Sequence, residues 1–123
     1  PMKRSDTFIS IYPLFRVKDG QMENIKKVTD EIVRRGHDEV GTLLFTAAYS
    51  DTHLFLRESY VDLHAFHVHL ETVKDILGDF FSMLDLESLV VVGNEDSIHA
   101  MKSEMKNLGM EAVYCVINHG FSI

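Results

Sequence analysis

The 123 residues amount to one domain of chain, and 46% hydrophobic with 25% charged residues excludes a disordered or low-complexity segment. A formal net charge of -7 leaves no basic surface for phosphates, so nucleic acid is not an expected partner. No run approaches the roughly 18 to 20 apolar residues that cross a bilayer, so no membrane partner is expected either.

At the start of the chain, Lys3 and Arg4 precede the apolar stretch Phe8 to Phe15, an export signal in outline. Ser10 and Pro13 break the stretch, and Arg16, Lys18 and Asp19 follow where small residues would mark a cleavage site. The stretch reads instead as a first strand, with Pro13 directing it to a sheet edge or a bulge. Asp19-Gly20 is a turn. From Gln21 to Arg35, Met22, Ile25, Val28, Ile32 and Val33 recur at helical spacing until Gly36 stops the run. Val40 to Tyr49 and Thr52 to Tyr60 form a hairpin about Ser50-Asp51. Asp62 caps a helix that begins at Leu63, and helical character runs to about Leu84 with a joint expected near Gly78. Ser88 to Val92 is a short apolar strand. Asn94 to Leu108 is an amphipathic helix with Ile98, Met101 and Met105 inward, and Met110 to Phe121 is a last strand. That strand carries Cys115, the chain's one cysteine, so no intrachain disulfide forms and a cytoplasmic location is expected.

The order is β-α-β-β-α-β with an α-β unit added. This is a single α+β domain over 1–123, with a ferredoxin-like core over 7–92 and an extension over 93–123. Helices in that topology lie on one face of an antiparallel sheet. Yet the first strand is apolar on both alternating sets: Phe8, Tyr12 and Leu14 on one, Ile9, Ile11 and Phe15 on the other. The second strand sets Leu43, Phe45 and Tyr49 opposite Leu44 and Ala48. A sheet with one wetted face would alternate apolar with polar. Two covers suit the second face: a second copy, giving a homodimer with a closed interior, or the C-terminal extension folded back over it.

The segment Arg57 to His69 resembles the antibiotic biosynthesis monooxygenase domains. In those domains a strand ends in Glu-x-aromatic, an acidic or amide cap follows, and the next helix carries an Ala-aromatic or Ala-aliphatic pair and then His. Glu58, Tyr60, Asp62, Ala65, Phe66 and His69 occupy those positions. The likeness covers residues 7–92 and implies a dimeric α/β barrel. Members of such families include cofactor-free oxygenases of polycyclic phenols or quinols, heme-degrading enzymes and isomerases of a signalling sugar derivative. The chain departs from two of these groups. It has no Trp and no His between Glu71 and Phe81, where heme degraders carry an iron ligand. Val73, Lys74 or Asp75 stands where the isomerases carry a second His.

His64, His67 and His69 spell a metal cluster, but helical geometry takes it apart. Each residue advances about 100°, so His69 points roughly 140° from His64 and about 160° from His67. No metal site is expected. His69 shares its stripe with Phe66, Leu70 and Val73 and is therefore buried. It lies about 10 Å along the helix from Asp62, and Glu58 lies about 13 Å back along the strand, so the two come level if the helix doubles back. Glu58 shares a strand face with Leu54, Leu56 and Tyr60. Two readings stay open: a buried pair that locks helix to strand, or a general base, His69, oriented by Glu58 beside a substrate. Tyr12, Tyr49, Tyr60 and His53 are candidates for holding that substrate, with Tyr114 and one of Asn118 or His119 behind them. Met101, Met105 and Met110 read as core. Pro1 offers an amine base of the tautomerase kind, but the polar leader Lys3 to Asp6 separates it from the first strand.

The resemblance and the residues together give the expectation of a cofactor-independent monooxygenase or quinol oxidase. It would act on a small aromatic molecule, with no cofactor announced by any glycine-rich or zinc motif. A small-molecule-binding protein without catalysis and an isomerase on the same fold are the alternatives.

Overall fold

The structure, a computed structural model, describes residues 5–123, so Pro1 lies outside the described residues. The elements run β1 (Ile9–Val17), α1 (Met22–His37), β2 (Thr42–Tyr49), β3 (His53–Tyr60), α2 (Leu63–Ser82), β4 (Leu84–Gly93), α3 (Glu95–Asn107) and β5 (Val113–Val116). One five-stranded sheet has the order β2-β3-β1-β4-β5. Its first four strands are the antiparallel ferredoxin-like arrangement, and β5 joins β4 in parallel through α3.

Pro13 sits in the central strand and not at an edge. Lacking an N–H, it is skipped in the β1–β3 ladder, which passes from Ile11↔Glu58 to Leu14↔Phe55. On the other side of β1, the ladder shifts between Leu14↔Ser88 and Phe15↔Leu86, and the extra residue, Glu87, is a bulge on β4. Pro13 itself pairs in register with Leu89, so the expected edge is absent and the bulge belongs to the neighbouring strand, opposite the Leu14–Phe15 step. Pleating sends Ile9, Ile11, Phe15 and Val17 to one face, where all four are buried, with Leu54, Leu56, Glu58 and Tyr60 of β3 beside them.

All three helices pack on that face. The inner stripe of α1 is Ile25, Thr29, Ile32 and Gly36, so Gly36 lies inside the last turn and does not end the helix. Asp62 caps α2, its carboxylate accepting from the Ala65 N–H at 2.9 Å. The helix then runs 20 residues without a joint at Gly78. It stops at Ser82, and β4 follows almost at once, longer by its polar first half than the apolar run Ser88 to Val92 suggests. Asn94 caps α3, whose Ile98, Met101 and Met105 are buried against Ile9, Ile11 and Leu89. The extension therefore thickens the helical layer and lengthens the sheet; α3 and β5 do not fold over the second face. The final strand is only four residues long, which leaves Asn118 and His119 exposed beyond it.

Two apolar clusters make up the core. One gathers Ile9, Ile11, Phe66, Leu89 and Met105 near α3, and the other gathers Phe15, Ile32, Leu56 and Phe80 near α1.

Candidate functional site

A cavity of about 90 Å3 lies at the junction of the two clusters, between the helices and the sheet. Its walls are largely aromatic and aliphatic: Phe15, Phe45, Phe66 and Phe80 line it, with Leu56 and Leu89. Phe81, Leu86 and Leu108 also line it and are 36%, 37% and 43% exposed, so the cavity reaches the surface among them. Three polar side chains break the apolar lining: Thr29 of α1, Glu58 of β3 and His69 of α2. A mainly apolar hollow with a few convergent polar groups is the usual form of a small-molecule site.

His69 is buried, as its helical stripe requires, but the carboxylate that meets it is Glu39 and not Glu58. Glu39 follows the C-terminus of α1, and its oxygens lie 2.9 and 3.2 Å from His69 Nδ1. Thr42 Oγ1 donates to the same carboxylate at 2.7 Å, and the Thr72 hydroxyl also contacts it. Burial pushes the Glu39 carboxyl up, but the hydrogen bonds from Thr72 and Thr42, with His69 beside them, outweigh it and hold the group below its ordinary range. An ionised carboxylate only accepts, so Nδ1 donates to Glu39 and Nε2 is the ring edge left over for another partner.

Glu58 has a different partner. Tyr60, two residues on and on the same strand face, donates its hydroxyl to Glu58 Oε1 at 2.6 Å. Burial drives the Glu58 carboxyl up, the Tyr60 hydrogen bond draws it down, and the nearby Glu39 charge adds to the rise, leaving it at about 7. Tyr60 is pushed well above the usual phenol range by its own burial and by Glu58. The rings of Tyr60 and Phe45 flank His69, with centroids 5.5 and 5.2 Å from its imidazole. The site thus holds a hydrogen-bonded carboxylate–imidazole pair, Glu39–His69, and a carboxyl, Glu58, whose ionisation is moved up to about 7.

Of the other sequence candidates, none lines this cavity. Tyr60 is one hydrogen bond away, through Glu58. Tyr12 points to the opposite sheet face, where its ring stacks on Phe55 at 6.5 Å. His53 shares that face and bonds to Glu87 and Thr52. Tyr49 is on the helical side but lies at the far end of β2, under the Lys26 ammonium at 5.5 Å. His64 and His67 are exposed, and His67 pairs with Glu104 of α3 at 2.9 Å. Two site residues escaped the sequence reading. Glu39 belongs to a connection, where no periodicity assigns a side chain to the interior. Thr29 sits on an apolar stripe at the right spacing, which was the available signal.

Among solved structures, MupZ from Pseudomonas fluorescens matches with a TM-score of 0.84 at 16% identity, over 96% of this chain and 96% of its own. A candidate antibiotic biosynthesis monooxygenase from Chloroflexus aurantiacus J-10-fl matches with a TM-score of 0.56 at 14% identity, over 68% of this chain and 88% of its own. The chain has the antibiotic biosynthesis monooxygenase fold. A conserved protein from Methanosarcina mazei Go1 shares this fold, with a TM-score of 0.63 at 15% identity, over 69% of this chain and 90% of its own. No family model and no curated protein matches the sequence, so the likeness to antibiotic biosynthesis monooxygenases is one of backbone. MupZ matches nearly the whole chain, whereas the other two match a share equal in length to Ile9–Gly93.

Proposed function

We propose that this chain is an acid–base enzyme acting on a small, mainly apolar, hydroxyl-bearing substrate held in the cavity, and that the anion it makes there is oxidised by dioxygen. The observation that carries this reading is the juxtaposition, on one apolar cavity, of a carboxylate-backed histidine and a buried carboxyl whose ionisation is raised to about 7. His69 Nε2 takes the proton from a phenol or enol. Glu39 holds the ring in the right tautomer and stabilises the imidazolium that results, which makes it a positioning residue. Glu58, with one oxygen accepting from Tyr60, presents the other to the developing oxyanion as a proton donor.

In a quinol oxidase, the substrate then gives up two electrons and two protons, and dioxygen leaves as hydrogen peroxide. In a monooxygenase, one oxygen atom stays on the substrate, which supplies four electrons in all, and the other leaves as water. The names borne by fold neighbours, among them a candidate monooxygenase from Fusobacterium nucleatum, support oxygen chemistry. A specific observation favours a second reading, an isomerase: Glu58 is an acid placed to return the proton that His69 removes. We also propose that the working unit is a homodimer in which a second copy covers the open sheet face.

Alkyl-substituted phenols and quinols, followed with an oxygen electrode, test the reading. Oxygen uptake is expected, and Glu39→Gln should slow it roughly 100-fold or more while shifting the pH dependence of kcat/KM, which a merely structural contact would not do. Solvent deuterium entering the substrate under nitrogen, without oxygen uptake, would replace the oxidase by the isomerase. Ligand-raised melting temperatures with neither reaction would leave a binding protein and overturn the enzyme.

A further inference from the structure

The cavity is polarised from one side to the other. Its polar groups, Thr29, Glu58 and His69, come from α1, β3 and α2, and the His69 ring lies against Phe45 of β2 and Tyr60 of β3. The β4 and α3 side contributes Leu86, Leu89, Met105 and Leu108, none of which can form a hydrogen bond through its side chain beyond a weak sulfur contact. Two of these, Leu86 and Leu108, are also part of the exposed rim. A molecule that matches both sides has an oxygenated head toward β3 and an apolar tail toward the rim.

Glu58 and His69 each have a protein partner, but Thr29 has none. Its side chain is 1% exposed, and its hydroxyl oxygen forms no hydrogen bond. A threonine in mid-helix can ordinarily bond back to the carbonyl four residues earlier, and here it does not. Buried hydroxyls without partners are rare because desolvation is left uncompensated. At this position on α1 valine would fill the same space, continue the apolar stripe of Ile25 and Ile32, and leave nothing unpaired.

We infer that Thr29 is a substrate-positioning residue, whose hydroxyl hydrogen-bonds a second oxygen on the head of an amphipathic substrate whose first oxygen meets His69 and Glu58. This rests on the cavity being the substrate site. It adds that the head is at least doubly oxygenated and that the tail leaves past Phe81, Leu86 and Leu108.

Two probes with the same tail, 4-butylphenol and 4-butylresorcinol, differ in one head oxygen. Their binding to the full chain is measured by calorimetry under nitrogen, so that no oxidation intervenes. The wild type should bind the resorcinol about 5- to 10-fold more tightly, the worth of one neutral hydrogen bond, and Thr29→Val should erase that preference while Thr29→Ser keeps it. The melting temperature of Thr29→Val should equal or exceed that of the wild type, since no protein partner is lost. If Thr29→Val keeps the preference, or the wild type binds neither probe or does not distinguish them, the inference is overturned. Oxygen uptake in air is read separately: a preference that depends on Thr29 without uptake keeps this inference and removes the oxidase, and uptake without such a preference does the reverse.

Discussion

Burial moves the ionisation of Glu58 from the ordinary carboxylate range to about 7. The residue is 8% exposed, and among the described residues its carboxyl accepts a side-chain hydrogen bond from Tyr60 alone, on the same strand, so it does not clamp the helix to the sheet. A folded-state value of about 7 lies above the ordinary 4.5, so the native state holds the proton more tightly than the unfolded chain. Below pH 4.5 both states are protonated and there is no penalty. As the pH climbs from there to about 7, the unfolded state ionises first and stability falls, by up to about 3 kcal/mol, after which the loss levels off. Glu58→Gln preserves the acceptor for Tyr60 and cannot ionise. Denaturant midpoints measured from pH 5 to pH 8 should therefore decline in the wild type and stay flatter in Glu58→Gln, with the variant the more stable at pH 8. Glu39 has the opposite sign: its hydrogen-bonded carboxylate contributes above its unfolded value, and the contribution goes as acid protonates it. The site is built from two carboxyls with divided duties, and their surroundings make the division.

Between elements, a close backbone approach lies where α2 starts. A methyl group built on Gly41 would meet the Ala65 Cβ at 2.4 Å and a Val61 methyl carbon at 3.2 Å, so the first turn of α2 rests on bare backbone. The Val61 N–H bonding to the Gly41 carbonyl at 3.0 Å ties the same place. Gly41→Ala should cost about 1 to 3 kcal/mol by overpacking, seen as a lower denaturant midpoint. Adding Ala65→Gly should recover part of that loss, less about 1 kcal/mol for glycine in a helix. How far elements were legible in the sequence follows from what each one buries. The stripe of α2 put His69 inside, and Asp62 announced its own cap, because both depend on local spacing. The start of β4 was hidden because Asp85, Leu86 and Glu87 are all exposed and Glu87 is a bulge, which breaks the period of two. The partner of His69 was hidden because Glu39 reaches it from 30 residues away through a loop, and proximity through space leaves no trace in spacing.

For the molecule as a whole, the sheet's second face remains to be accounted for. Its middle carries Tyr12, Leu14, Leu44, Phe55, Val90 and Val92, with the Ser10 and Ser59 hydroxyls paired at 2.9 Å and the polar side chains of Arg16, His53 and Glu87 toward one end. The alternation argument from the sequence thus found its apolar strip, and no helix among the described residues covers it. If a second copy covers it, Leu14→Lys with Phe55→Lys should halve the mass seen by sedimentation at micromolar concentration, with the helical content unchanged. A single-protomer mass for the wild type would rule that arrangement out.

The α3–β5 unit has a role beyond lengthening the sheet. Met105, Leu108 and Met110 form one wall of the cavity, so the last quarter of the chain helps to shape what the first three quarters would otherwise leave ajar. A bound guest would then bridge two lengths of chain synthesised at different moments. Its arrival should slow amide hydrogen exchange along α3 as much as beside Glu58. By the same token, a shorter protein with this backbone but without that unit cannot lend its choice of guest to this one.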